Sequence, residues 1–134
     1  MRILVDVRHL SDAQKTGVGE YTSELLRALF GMKTDAYELV STGMKPQTNT
    51  THLRLPNKLL KLTTLLAQWP TLDRLAKTRP DLVWLPNLNF TAISPSVPYV
   101  LTVHDLSWKI FPEYFSRRMR LWHALSCPDR LVRD

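Results

Sequence analysis

A histidine and an aspartate stand side by side at the end of an apolar segment, where a protein can place reactive groups. His104 and Asp105 follow residues 100–103, an apolar and β-branched run after Pro98 that predicts a strand covered on both faces. In doubly wound α/β sheets, ligands bind outside the carboxyl ends of the strands. We therefore expect His104 and Asp105 to be catalytic residues, with Asp105 serving as a cap or as an acceptor that orients His104. The alternative for His104 is a hydrogen bond to a neighbouring loop.

A glycine pair forms the second candidate group. Gly17, Val18 and Gly19 open a predicted helix. Glycines at such a position bring backbone N–H groups and the helix N-terminus close to an anion, typically a phosphate. The alternative is that Gly17 and Gly19 only permit a tight turn into the helix.

The elements that must position these residues alternate between strand and helix. We predict strands at 2–7, 37–41, 51–55, 81–85 and 99–103, and helices at 17–31, 59–76 with an interruption at Pro70, and 115–125. This alternation is typical of an α/β fold with a Rossmann-like, doubly wound parallel sheet. The expected strand order is 3-2-1-4-5, which brings the loops after strands one, four and five to one cleft.

Four more polar residues belong to these loops, and we expect them to line the cleft. Arg8 and His9 follow the first strand, and Asn87 and Asn89 follow the fourth. The alternative for the two asparagines is that they only end the strand through side-chain hydrogen bonds to the backbone.

Composition narrows the class of protein. The chain has 134 residues, of which 44% are hydrophobic and 22% charged, values typical of a folded globular domain. The net charge of +6 favours anionic partners. The apolar start is too short for a signal peptide, and no run approaches a membrane span. We expect a cytoplasmic protein, and the single cysteine, Cys127, fits a reducing compartment and serves in packing.

A basic and aromatic cluster occupies the C-terminal part of the chain. We expect its arginines to form a solvated face and its aromatic rings to pack inward. The alternative is that the cluster rests on anionic lipid headgroups at the inner face of the membrane. Its members are Arg117, Arg118, Arg120, Trp108, Phe111, Tyr114, Phe115 and Trp122.

Three segments together resemble the N-terminal domain of family 4 glycosyltransferases. They are Thr16–Leu29 (TGVGEYTSELLRAL), Asp81–Asn87 (DLVWLPN) and Val97–Leu106 (VPYVLTVHDL), and Phe111–Trp122 is similar to the segment that follows the His-Asp pair in that family. The resemblance covers nearly the whole chain, in the expected order. It implies that residues 1–134 form the N-terminal half of a GT-B architecture, incomplete at its C-terminus and without the C-terminal nucleotide-sugar domain.

The resemblance also implies an activity. Such enzymes transfer a sugar from a nucleotide-sugar donor to a glycan or lipid-linked acceptor with retention, as in polysaccharide biosynthesis. They need no bound metal or cofactor, and no nucleic acid partner is expected. The family's glycine loop, matched by Gly17 to Gly19, lies near the donor diphosphate and the acceptor. The histidine matched by His104 contacts the transferred sugar or the reacting centre.

The chain departs from the family because it lacks that family's Glu-x7-Glu motif, which belongs to the C-terminal domain. Its four glutamates lie at positions 20, 24, 38 and 113. We therefore expect a fragment of a glycosyltransferase that is inactive alone. The main alternative is a non-catalytic Rossmann-like module that binds an anionic ligand. A nicotinamide-dependent oxidoreductase is disfavoured because Thr22 occupies the third glycine position of the dinucleotide fingerprint.

Overall fold

The computed structural model describes residues 1–11, 16–43 and 49–126. Its strands are β1 (Arg2–Asp6), β2 (Ala36–Thr42), β3 (Thr51–Leu53), β4 (Leu82–Leu85) and β5 (Tyr99–Leu101). They form one parallel sheet in the order β3-β2-β1-β4-β5. This confirms the α/β class, the Rossmann-like doubly wound sheet and the expected strand order.

Within the described residues, four α-helices and three short 3-10 helices accompany the strands, and the last three of these helices follow β5. The α-helices are α1 (Gly17–Met32), α2 (Asn57–Ala67), α3 (Ser107–Ile110) and α4 (Arg117–Leu125), and the 3-10 helices are Arg8–Ser11, Leu72–Leu75 and Pro112–Tyr114. None of the helices in the described ranges is both long and apolar enough to cross a membrane.

Strands β1 and β4, which are neighbours inside the sheet, are buried on both faces. Leu4 and Val83 pack on one face of the sheet, while the next residues along each strand, Val5 and Trp84, belong to a separate cluster. This division follows from the period of two in a strand, which sends successive side chains to opposite faces. Leu26 of α1 packs with Val5 and Trp84, so α1 covers that face.

The prediction that a helix resumes after Pro70 is wrong. Residues Leu72–Leu75 form a single 3-10 turn. The backbone N–H of Leu72 donates to the carbonyl oxygen of Ala92 (2.8 Å), and Asp73 accepts from the N–H of Ser94 (2.9 Å). These contacts hold the turn against the chain that follows β4, and Leu72 is buried in the core there.

The prediction that residues 100–103 are covered on both faces is also wrong. Val100 and Val103 are each 50% exposed. The reason is that β5 lies at the edge of the sheet, where it pairs only with β4 among the described strands. An apolar run alone cannot distinguish a central strand from an edge strand.

Candidate functional site

Two adjoining cavities lie where the strands end. The larger, of about 510 Å³, is called the apolar cavity because most of its wall is formed by Val18, Leu88, Val103, Leu106, Trp108, Phe115 and Met119. The smaller, of about 130 Å³, is called the polar cavity because its wall contains Arg8, His9, Thr42, Asn57, Lys61, Asn87 and Asn89. Both walls include Asn87 and Leu88. The loops after β1, β4 and β5 thus meet at one edge.

His104 is held in one orientation beside the apolar cavity. Its Nε2 donates to the carbonyl oxygen of Pro86 (2.8 Å), since a carbonyl oxygen can only accept. Tyr21 of α1 packs edge-on against the imidazole, with ring centroids 5.1 Å apart. In the neutral ring this bond places the proton on Nε2 and leaves Nδ1 as an acceptor. His104 therefore makes the loop contact foreseen as its alternative and keeps a lone pair available.

Asp105 lines the same cavity and caps the start of α3. Its Oδ1 accepts from the hydroxyl (2.6 Å) and the backbone N–H (2.9 Å) of Ser107. Both bonds hold the pKa of Asp105 below its usual value, and the bond from the Ser107 hydroxyl has the larger effect. The carboxylate is therefore charged at neutral pH. Capping was one of the two roles expected of Asp105. The carbonyl of Pro86 orients His104 instead.

The glycine loop brings the beginning of α1 to the site. Thr16 caps the helix by accepting from the N–H of Gly19 (3.2 Å), and Val18 lines the apolar cavity. Among the described glycines only Gly43 has a positive φ. A Cβ built on Gly17 would meet nothing within 4 Å. The backbone conformation therefore does not require glycine at 17, and the tight-turn alternative does not explain it.

Arg8 fixes two loops relative to each other. Its guanidinium forms a buried pair with Asp6, with Nη2 2.6 Å from Oδ2 and Nε 2.8 Å from Oδ1. It also donates to the carbonyl oxygen of Phe90 (3.0 Å) and to the hydroxyl of Thr91 (2.5 Å). Only 8% of Arg8 is exposed. Arg8 lines the polar cavity as predicted, but the carboxylate of Asp6 neutralises its charge.

The other residues predicted to line the cleft, His9, Asn87 and Asn89, differ in their hydrogen bonds. Nε2 of His9 lies 3.0 Å from the hydroxyl of Thr22, which itself donates to the carbonyl oxygen of Val18. Asn89 accepts from the N–H of Phe90 (2.8 Å), the strand-ending role foreseen for it. Asn87 differs because its side-chain amide has no hydrogen-bond partner within the described ranges, although it lines both cavities.

Three polar residues of the polar cavity, Thr42, Asn57 and Lys61, were not predicted from the sequence. Thr42 ends β2, and its hydroxyl donates to Oδ1 of Asn57 (3.2 Å), the first residue of α2. Lys61, one turn further along α2, also lines this cavity. The rule that places ligands at strand ends could have identified Thr42, but no local pattern distinguishes Lys61 from its neighbours.

His123 was missed as well. It lines the apolar cavity and stacks on Trp108, with ring centroids 4.8 Å apart and planes 4° from parallel. Its Nδ1 is buried without a partner in the described part of the chain. Burial lowers the pKa of His123, against the opposing charge of Asp105, so the neutral ring is favoured.

The expectation that the aromatic rings of the C-terminal cluster pack inward is wrong for two of them. Phe111 is 51% exposed and Tyr114 82% exposed. Both lie on the turn that joins α3 to α4, at the edge of the fold. Arg117, Arg118 and Arg120 are exposed, as predicted for a solvated face.

Within residues 1–11, 16–43 and 49–126, no three His, Cys, Asp or Glu side chains converge. Cys127 lies outside the described residues. Comparison of the chain with protein-family models, with curated proteins and with solved structures finds no significant match. The functional argument therefore depends on the geometry of the site.

Replacing Arg8 with alanine should destabilise the fold strongly. The change leaves Asp6 buried without its partner, which typically costs about 3–5 kcal/mol. Urea unfolding followed by circular dichroism measures the loss. Arg2→Ala is the matched control, because the Arg2–Asp81 pair is half exposed with 3.6 Å between its charged atoms. Equal losses in the two variants would show that Arg8 does not hold the loops.

Proposed function

We propose that this chain forms the acceptor-binding, N-terminal half of a retaining, metal-independent glycosyltransferase. It would work with a nucleotide-sugar-binding domain that faces the carboxyl edge of its sheet. The observation that carries this proposal is the convergence of three loops at that edge. They bring the start of α1, Asn87 and His104 to the two cavities.

The geometry gives His104 a specific part in transfer. Because Pro86 holds Nε2–H, Nδ1 is the atom that accepts a hydrogen bond from a sugar or acceptor hydroxyl. Such a bond positions an acceptor hydroxyl for attack on the anomeric carbon of the donor. The bond from that carbon to the diphosphate breaks, and the hydroxyl proton leaves with the diphosphate. Tyr21 contacts His104 and so brings the first turns of α1 close to it. The N-terminus of this helix would stabilise the negative charge on the diphosphate leaving group.

The alternative is a binding module without catalysis, and the polar cavity favours it enough to be tested. Among the residues that the structure describes, its wall holds Lys61 and no acidic side chain, so an anion could bind there without any transfer. The two functions differ in turnover. A glycosyltransferase consumes nucleotide-sugar when the second domain is supplied in the same chain or added in trans, whereas a binding module only shows saturable binding.

Replacing His104 with alanine should lower the transfer rate of the two-domain enzyme by at least about tenfold, because the acceptor for the reacting hydroxyl is lost. His104→Asn, which can keep an acceptor near the position of Nδ1, should recover part of the rate. Initial rates from radiolabelled nucleotide-sugar measure both effects, and thermal unfolding checks the fold. Unchanged rates in His104→Ala would remove His104 from the site.

Adding a side chain at Gly17 should impair transfer but not stability. A Cβ there meets nothing within 4 Å in the described part of the chain, so the melting temperature of Gly17→Val should change little. The valine would instead obstruct an anion approaching the backbone N–H groups of α1. Gly31→Val is the matched control, since its Cβ also meets nothing within 4 Å, at the other end of α1. Equal transfer rates in the two variants would count against a ligand at Gly17.

The basic and aromatic cluster supports peripheral contact with the anionic cytoplasmic face of a membrane. Arg117, Arg118 and Arg120 are exposed, and so are Phe111 and Tyr114, which precede them closely in the sequence. Exposed aromatic rings settle at the level of lipid headgroups, and neighbouring arginines attract acidic lipids. A lipid-linked acceptor would then lie near the site.

The triple variant Arg117→Gln, Arg118→Gln and Arg120→Gln should bind phosphatidylserine vesicles weakly. Each arginine near an anionic surface contributes about 1 kcal/mol, which is about fivefold in affinity. Vesicle co-sedimentation at rising salt measures the effect, and binding of the parent chain should fall steeply as salt screens the charges. Arg27→Gln on α1 is the control. Binding that is insensitive to salt, or equal on phosphatidylcholine vesicles, would contradict the contact.

A further inference from the structure

The two cavities of the candidate site have opposite chemical character, although they share part of their walls. Valine, leucine, methionine and aromatic side chains dominate the apolar cavity, whose volume of about 510 Å³ is that of a small-ligand pocket. Amide, hydroxyl and cationic side chains dominate the polar cavity, whose volume of about 130 Å³ suits a small head group. A ligand that fills both must itself have a polar and an apolar end.

Charge in the polar cavity is set by Lys61. Arg8 also lines this cavity, but the carboxylate of Asp6, 2.6 Å away, offsets its charge. Lys61 forms no ion pair with a described residue; its Nζ lies 5.7 Å from the centre of the Phe90 ring. No acidic side chain from the described parts of the chain contributes to the wall. The cavity therefore favours a negatively charged group.

Asn87 supplies the connection between the two cavities. Asn87 lines both, and its side-chain amide has no hydrogen-bond partner among residues 1–11, 16–43 and 49–126. A half-buried amide left in this state is available to bind a ligand group at the junction. Trp122 and His123 are neighbours on α4, and their rings contact each other at this junction. Trp122 lines the polar cavity and His123 lines the apolar cavity.

We propose that the ligand of this site is an anionic amphiphile, with its phosphate-like head group at Lys61 and Asn87 and its apolar part against Val103 and Met119. If the chain is the acceptor half of a glycosyltransferase, as proposed above, this amphiphile is its acceptor. The inference rests on the proposed function only for that last identification. The binding itself follows from the paired cavities.

Isothermal titration of the 134-residue chain with hexyl, octyl and decyl phosphate, each below its micelle concentration, tests the proposal. Burial of each added methylene should strengthen binding by up to about fourfold. Octyl phosphate should bind more tightly than either inorganic phosphate or octanol, because only it occupies both cavities. Affinity that is independent of chain length, or an octyl phosphate affinity equal to that of octanol, would overturn the proposal.

Matched variants locate the two ends of the ligand. Lys61→Gln should weaken octyl phosphate binding about tenfold and leave octanol binding unchanged, whereas Lys58→Gln, on the same helix but outside the cavity wall, should change neither. Val103→Gln should weaken both octyl ligands, whereas Val100→Gln, equally exposed but outside the wall, should not. Equal effects within either pair would overturn the assignment.

The outcome separates this inference from the proposed function, because binding is measured without a sugar donor. Amphiphile binding at Lys61 and Val103, with no transfer by the two-domain enzyme, would keep the ligand class and reject the transferase. Transfer to acceptors without an apolar part, with no binding of octyl phosphate, would keep the transferase and reject the amphiphile.

Discussion

The buried pair of Asp6 and Arg8 is the interaction on which the site depends. Asp6 ends β1, and Arg8 reaches from it to the carbonyl of Phe90 and the hydroxyl of Thr91, which follow β4. A charge pair that is almost fully buried needs all of these bonds, because desolvation is not otherwise offset. The pair therefore fixes the distance between the two loops that supply half of the residues lining the polar cavity. It makes Arg8 a residue that builds the site more than one that binds a ligand.

Once these loops are fixed, the sheet edge divides into two environments. The segment after β5 follows the edge strand and lines the apolar cavity, while Lys61 of α2, the helix that follows β3, lines the polar cavity. His104 lines the apolar cavity, and the backbone carbonyl of Pro86 orients its ring. An edge with one apolar and one cationic compartment suits a ligand that has a hydrocarbon part and a negatively charged group.

The strand order and the gathering of Arg8, Asn87 and His104 at one edge could be predicted, because both follow from alternating strands and helices and from general rules of parallel sheets. The partners of these residues could not. Pro86 as the acceptor for His104, and Asp6 as the partner of Arg8, depend on the exact path of the chain. The exposure of Val100 was missed for a related reason, since hydrophobic pattern does not report which strand lies at the edge. The place of Lys61 in the polar cavity could not be predicted, because it depends on how α2 packs at the end of β2.

The most direct test of the account is the stereochemistry of transfer. A ¹³C-labelled nucleotide-sugar would be given to an enzyme that combines this domain with a nucleotide-sugar-binding domain, together with an octyl phosphate-type acceptor bearing a free hydroxyl. The anomeric signal would then be followed by NMR. The account predicts a glycoside with the anomeric configuration of the donor. An inverted product, or an unchanged donor despite saturable binding of the acceptor, would contradict it.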